Sequence, residues 1–271
     1  MRILFLGDVV GRSGREVVIE NLPRLKAELK LDFTIVNAEN AAAGFGMTAK
    51  ICEQLYQAGA DVITGGNHSF DNREIMQSLD SDKRLLRPIN YPDKAPGKGF
   101  GIYDGPRGKK ILVINAMCRV FMNPLDCPFD AVEAILKKHI LGGSVGAVIV
   151  DIHGEATSEK MAMGHFCDGR ASLVVGTHSH VPTGDAQILN GGTAYQTDAG
   201  MCGDYNSVIG MDKEEPLKRF VTKLNGGRFS PADGAGTLCG VFVETDDKSG
   251  KALRIEPVRI GPRLIEAIPK L

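Results

Sequence analysis

The chain has 271 residues, 43% of them hydrophobic, which is enough for one large α/β domain or two small ones with a sizeable core. Its 32 basic and 33 acidic residues leave a net charge of −1. That balance argues against a general nucleic-acid binder or a polybasic membrane anchor, though not against a local phosphate site. No stretch approaches the roughly 18 consecutive apolar residues of a membrane span. The six cysteines, at positions 52, 118, 127, 167, 202 and 239, form no C-x-x-C pair. The expectation is therefore a cytoplasmic protein with reduced thiols.

Apolar, β-branched runs alternate with helical patterns from the start. RILFLG (2–7) reads as a strand, and Asp8 interrupts the opening run too early for an export signal. Residues 14–30 read as a helix that Pro23 should kink or split. DFTIVNAEN (32–40) reads as a second strand. Thr48 caps a helix over 49–58 that Gly59 ends, and DVIT (61–64) is a third strand. Asp71 and Glu74 mark the start of a short helix, as a weak capping box. Residues 92–110, rich in Pro, Gly and Lys, read as a loop or hairpin. KILVINAM (110–117), GAVIVDIHG (146–154) and SLVVGTHSH (172–180) are further strands, with a helix over about 130–140. From 185 onward the short, turn-punctuated runs look antiparallel. The βαβ alternation argues for parallel strands with helices packed on them, read as one domain over 1–271 built from two packed sheets.

Five of these apolar runs end in polar residues of one kind. The first ends at Asp8, the second at Glu39-Asn40, the third at Asn67-His68, and two later ones at His153 and at His178-Ser179-His180. The carboxyl ends of parallel strands converge on one crevice, where ligands bind. The set holds two carboxylates, two carboxamides and four imidazoles, and no cysteine. Such nitrogen and oxygen donors suit Fe, Mn, Zn, Co or Ni. They are too many for one four-coordinate ion and about right for two that share a carboxylate. Metal pairs roughly 3.5–4 Å apart recur in phosphoryl hydrolysis. Two divalent ions outweigh Asp8 and Glu39 and leave a positive balance that attracts a phosphate.

The order D…E-N…G-N-H…H…H-x-H resembles the calcineurin-like metallophosphoesterases. GDVVGRSGR, NAENAAAGFGMT, TGGNHSFD and THSHVPTGD resemble its YmdB-like branch, over roughly residues 1–210. The resemblance implies an αββα sandwich, two metal ions (Fe or Mn first, Zn next) and phosphodiesterase activity on cyclic nucleotides of the 2′,3′ type or related phosphoesters. It implies that Asp8 and His180 bind one metal, that Asn67, His153 and His178 bind the other, and that Glu39 bridges them. A metal-bridging hydroxide would attack phosphorus, and His68 would protonate the leaving group. The chain departs from the wider family at two places. The first motif has Asp8-Val9-Val10 instead of D-x-H, which makes Asn40 the substitute ligand. The acid that often follows Asn-His is here Ser69, which leaves Asp71 as the candidate to orient His68. The partner implied is a small phosphoester or nucleotide, with no membrane. A link to RNA and a homo-oligomer stay open.

Each signal has a bland counterpart. H-x-H places two rings on one face of an extended segment, but chance histidines in a loop do the same. Asp8 after a strand is common in α/β enzymes. His139 reads as solvated, and His165 as structural. Phe45, Phe70, Tyr91, Phe121 and Tyr205 are aromatics able to stack a base, or core packing. A dinucleotide-binding oxidoreductase is a weak rival, because residues 7–14 space their glycines as G-x-x-x-G-x-x-G and not as G-x-G-x-x-G. A catalytically weak metal- and nucleotide-binding regulator of the same fold is the stronger alternative, given the missing D-x-H histidine.

Overall fold

A computed structural model describes residues 1–271. The elements follow in the order β1 (Arg2–Leu6), β2 (Asp8–Val9), α1 (Gly11–Glu28), β3 (Phe33–Asn37), α2 (Ala49–Ala58), β4 (Val62–Thr64), α3 (Ile75–Ser81), β5 (Leu85–Leu86), β6 (Phe100–Asp104) and β7 (Lys110–Met117). Then come α4 (Pro128–Leu136), β8 (Ala147–His153), α5 (Thr157–Phe166), β9 (Leu173–Thr177), β10 (Gln187–Ile188), β11 (Ala194–Gln196), β12 (Met201–Cys202), α6 (Glu214–Thr222), β13 (Leu238–Thr245) and β14 (Ala252–Ile260).

Two six-stranded mixed sheets result, in the orders β14-β13-β1-β3-β4-β5 and β10-β11-β9-β8-β7-β6. In the first, β1, β3, β4 and β5 are parallel and β13 and β14 complete it antiparallel. In the second, β7, β8, β9 and β11 are parallel between antiparallel edges. Alternation along β1 assigns its two faces. Ile3 and Phe5 join Val113, Ile149 and Val175 of the second sheet in one apolar cluster, so the sheets pack face to face. Leu4 and Leu6 join Val18, Leu22 and Leu25 of α1 on the opposite face. Ile114, Val148 and Val150 meet Val132 of α4 and Met163 of α5 in the same way. The layers are helix, sheet, sheet, helix. Because both faces of the central strands are covered, their sequences are continuous apolar runs.

The predicted elements recur with local differences. Thr48 Oγ1 accepts a hydrogen bond from Ile51 N at 3.2 Å, and Gly59 closes α2 at φ 117°, as the cap signals indicated. Helix α1 starts at Gly11, before the predicted start, and runs through Pro23 as one helix. Its N-cap, Val10, makes no side-chain cap bond, so no capping signal marks the start. Asp71 does not cap α3; it bonds to His68 instead. The 92–110 stretch forms part of a hairpin in which β6 pairs antiparallel with β7. After residue 185 the antiparallel expectation holds for β10, β13 and β14. It fails for β11, which runs parallel to β9, and for β12, which pairs parallel with β2. Helices α5 and α6 and the two-residue β5 lack a clear sequence signal.

Candidate metal centre

Asp8 begins β2, directly after β1. Glu39 and Asn40 follow β3, Asn67 and His68 follow β4, His153 ends β8, and His178 and His180 follow β9. The sheets face each other, so the carboxyl ends of β1, β3 and β4 stand opposite those of β8 and β9. The crevice thus lies between two sheets, not along one. All eight predicted residues meet there.

Their polar atoms form two groups. His153 Nε2 lies 2.9 Å from Asn67 Oδ1, 3.2 Å from Glu39 Oε1 and 3.1 Å from His178 Nδ1. Nearby, His180 Nε2 lies 3.2 Å from Asn40 Oδ1 and 3.9 Å from Asp8 Oδ1. Glu39 belongs to both groups, since its donor atoms lie within 4.8 Å of those of His153 and His178 and of those of Asp8 and His180. Asp8 Oδ1 is fully buried and has no hydrogen-bond partner. An orphaned carboxylate oxygen is costly to bury, and a cation beside it removes that cost. Gly66 borders the same space: a Cβ there would stand 2.2 Å from Glu39 Oε2 and 2.4 Å from His153 Nε2. Only a residue without a side chain leaves room for these donors.

The outward-facing atoms of the ligand candidates are held by protein groups. Thr177 Oγ1 donates to Asp151 Oδ1 at 2.7 Å, so it accepts from His153 Nδ1 at 2.9 Å. Asp151 also accepts from Thr64 Oγ1 at 2.6 Å and Asn37 Nδ2 at 3.0 Å. The neutral His153 ring thereby keeps its proton on Nδ1, so the Nε2 lone pair that faces the cluster is the one freed when the imidazolium gives up its second proton. His180 Nδ1 donates to Ile209 O at 2.7 Å, with the same effect on its Nε2. His178 Nε2 lies 3.4 Å from Glu155 Oε2. Asp151 and Thr177 sit inside apolar strands, where a lone polar residue is the only cue in the sequence.

His178 and His180 do not share a face of an extended segment, as H-x-H alternation suggested. Both lie at positive φ, 98° and 63°, and their rings go to different donor groups. The turn is held from behind: Asp8 Oδ2 accepts from His178 N at 3.1 Å, and Asp198 Oδ2 accepts from Ser179 N at 3.1 Å. Asp198 in turn pairs with the fully buried Lys160 at 2.9 Å, whose Nζ also donates to Thr177 O at 3.1 Å. Strained backbone of this kind persists where surrounding bonds over-determine it.

Without a metal the electrostatics are those of a buried proton. Burial disfavours the imidazolium of His153, yet Glu39 and Asp8 outweigh it and raise the pKa to about 9. Burial likewise opposes ionised Glu39, but His153 and the His68 N–H hold it at about 2. Burial lifts Asp8 to about 6 against the pull of His180 and His153. Burial, with the charge of His153, drives His178 down to about 3. One positive charge already resides on His153, between donors spaced as ligands are.

His68 stands apart from both groups. Its Nδ1 lies 2.7 Å from Asp71 Oδ2, its backbone N donates to Glu39 Oε2 at 3.1 Å, and its ring meets Phe45 edge-on at 5.0 Å. The ring lines a cavity of about 390 Å³ above the donors. Position 69 carries no acid, and the carboxylate beside the His68 ring is that of Asp71, three residues on. Ser69 is buried and braces the turn, accepting from Gly66 N at 3.0 Å and donating to Gly66 O at 2.8 Å. Of the aromatics named from sequence, Phe45 lines the cavity, Phe70 and Tyr91 pack on each other, and Tyr205 is engaged by backbone.

Similar chains match this one over nearly its whole length. The 2′,3′-cyclic-nucleotide 2′-phosphodiesterase of Bacillus subtilis is 49% identical over 261 residues, covering 96% of this chain and 97% of that protein. Among solved structures, a novel phosphatase from Mycoplasma pneumoniae superposes with a TM-score of 0.90 at 34% identity, covering 96% of this chain and 93% of its own. A hypothetical protein from Thermus thermophilus does so with a TM-score of 0.89 at 40% identity, covering 96% and 99%. The model of the YmdB-like protein family matches residues 4–258. The chain belongs to the YmdB-like family of metallophosphoesterases.

Proposed function

We propose that the protein is a metal-dependent phosphodiesterase that opens 2′,3′-cyclic nucleotides or closely related phosphoesters. The observation that carries this is the pair of donor groups sharing Glu39, with His68 beside them over one cavity. Asn67, His153 and His178 would hold one metal and Asp8, Asn40 and His180 the other, with Glu39 common to both. Their oxygen and nitrogen atoms fit Fe or Mn, with Zn next. When bound, such metals supply Lewis-acid charge against phosphate oxygens and make water a usable nucleophile near neutral pH.

The chain's own groups do the rest. Glu39 and Asp8 set the charge of the site. Thr177 and Ile209 fix the two imidazoles so that only Nε2 faces inward. Asp71 accepts from His68 Nδ1 and fixes the ring at the cavity wall, where its other nitrogen is available to protonate the departing ribose oxygen. The six cysteines are unpaired and five are buried, which fits the reducing cytoplasm. Because the donors come from both sheets, we read the chain as one domain.

The test is hydrolysis of adenosine 2′,3′-cyclic phosphate by chelator-stripped protein before and after Mn²⁺ is restored. Turnover should appear only with Mn²⁺ and should be lost in Asn67→Ala and His178→Ala, with metal content reduced in both. Uptake of two metals per folded chain without turnover would instead favour the binding regulator.

A further inference from the structure

The cavity over the donor groups is lined by two unlike sets of residues. One set is polar and includes His68, His178 and Glu155; the other is apolar, with Phe45, Ile209 and Met211 joined by Phe220 and Phe229 from α6 and the segment after it. No lysine or arginine lines it, and Glu155 is its one acid beyond Glu39. Neither Phe220 nor Phe229 carried a signal in the sequence.

The two phenylalanines are held differently. Arg219 lies over the Phe229 ring at 4.0 Å from its centroid. Arg219 is itself fixed, with Nε donating to Glu215 Oε1 at 2.7 Å and its other end donating to Gly227 O at 2.5 Å. Phe229 is thus a braced plate. Phe220 is 70% exposed, on a helix whose only buried residue is Pro216. A large ring left in water beside a polar reaction centre is surface that a ligand covers at a gain.

We infer that Phe220 and Phe229, with Phe45, form the subsite for the substrate's base, and that the site takes a single nucleoside with a single phosphate. This rests on the phosphodiesterase reading above. Aromatic faces bind any base by stacking, so the wall reads apolar area more than the pattern of a base edge. At about 390 Å³ the cavity lies at the low end of small-molecule sites, which suits one nucleoside. The donor groups can offset the charge of one phosphate. Within the cavity a second phosphate, as in a dinucleotide or an RNA chain with a cyclic end, would find Glu155 and no lysine or arginine in the lining, and the nearby Arg219 is already engaged by Phe229, Glu215 and Gly227. Specificity then arises from an unpaired charge against the longer substrate as well as from contact with the shorter one.

The experiment compares three substrates of the Mn²⁺-loaded enzyme: adenosine 2′,3′-cyclic phosphate, the base-free glycerol 1,2-cyclic phosphate, and a diadenosine dinucleotide ending in a 2′,3′-cyclic phosphate. The mononucleoside should exceed both others in kcat/KM by about tenfold or more. Phe220→Ala and Phe229→Ala should narrow its lead over the base-free ester about tenfold, through KM more than kcat. In calorimetry the same variants should bind adenosine 3′-phosphate about tenfold more weakly. Equal kcat/KM for the nucleoside and base-free esters, or for mononucleotide and dinucleotide, would overturn the inference, as would Phe variants that bind adenosine 3′-phosphate like the parent. Hydrolysis of none of the three would sink the phosphodiesterase reading instead. Calorimetry of adenosine 3′-phosphate against glycerol 2-phosphate would still decide the subsite.

Discussion

His68 and Gly66 carry opposite kinds of information. The His68 ring is held by Asp71 at 2.7 Å, and only the backbone N–H of His68 reaches a donor of the metal groups, Glu39 Oε2, so removing the ring separates proton transfer from metal binding. His68→Ala should lose about 10²–10⁴-fold in kcat and keep its metals. Asp71→Asn should lose less, because it loosens the ring without deleting it. A fall in metal content on His68→Ala, measured by mass spectrometry, would show that His68 is a ligand. Gly66 contributes no side chain, and its smallness is what it supplies. Gly66→Ala pushes a methyl group against Glu39 Oε2 and His153 Nε2. The variant should fold and bind metal at least tenfold more weakly, in line with losses when the surroundings of ligands are disturbed. Unchanged affinity in a competition titration would mean the two donors can move apart.

At the scale of elements, the turn after β9 depends on an ion pair that touches neither metal group. Lys160 on α5 is fully buried and bonded to Asp198 Oδ2 and Thr177 O. Removing one partner of a buried pair leaves an uncompensated charge, at a cost of about 3–5 kcal/mol. Lys160→Ala should therefore lower the midpoint of urea unfolding, and Lys160→Met with Asp198→Asn should recover part of it. Activity should fall with the first variant, since Asp198 also anchors Ser179 between the two histidines. An unchanged midpoint in Lys160→Ala would show that water replaces the ammonium. The helix that carries Lys160 lies between two clear strands but has no start signal of its own in the sequence. Its N-cap, Ala156, makes no side-chain cap bond, so the usual start signal is missing.

For the whole molecule, the buried proton on His153 links folding to pH. Its folded pKa, about 9, lies above the ordinary value of 6.5. Its stabilisation is therefore fully present below pH 6.5 and is lost as pH rises through about 9. The shift caps that contribution at about 3 kcal/mol. Chelator-stripped protein should melt at progressively lower temperature between pH 6.5 and 9. Metal-loaded protein should lack that decline, because the lone pair is then taken by the ion instead of a proton. Parallel melting curves for the two forms would argue against His153 as a ligand.

The strands that carry the site were readable because central strands covered on both faces must be apolar throughout, and a polar residue at the end of such a run stands out. That pattern named Asp8, Glu39, Asn40, Asn67, His68, His153, His178 and His180 without any coordinates, together with the βαβ order behind them. It could not say that the strand ends belong to two facing sheets, nor that His178 and His180 turn to separate donor groups. Those facts depend on strand order, on left-handed backbone at two histidines and on hydrogen bonds donated to Asp8 and Asp198 across as many as 170 positions. The supporting residues Asp151, Lys160 and Asp198 and the ring of Phe220 were silent for the same reason. Local periodicity reports which face of an element is buried, whereas only the packed chain determines what stands opposite it.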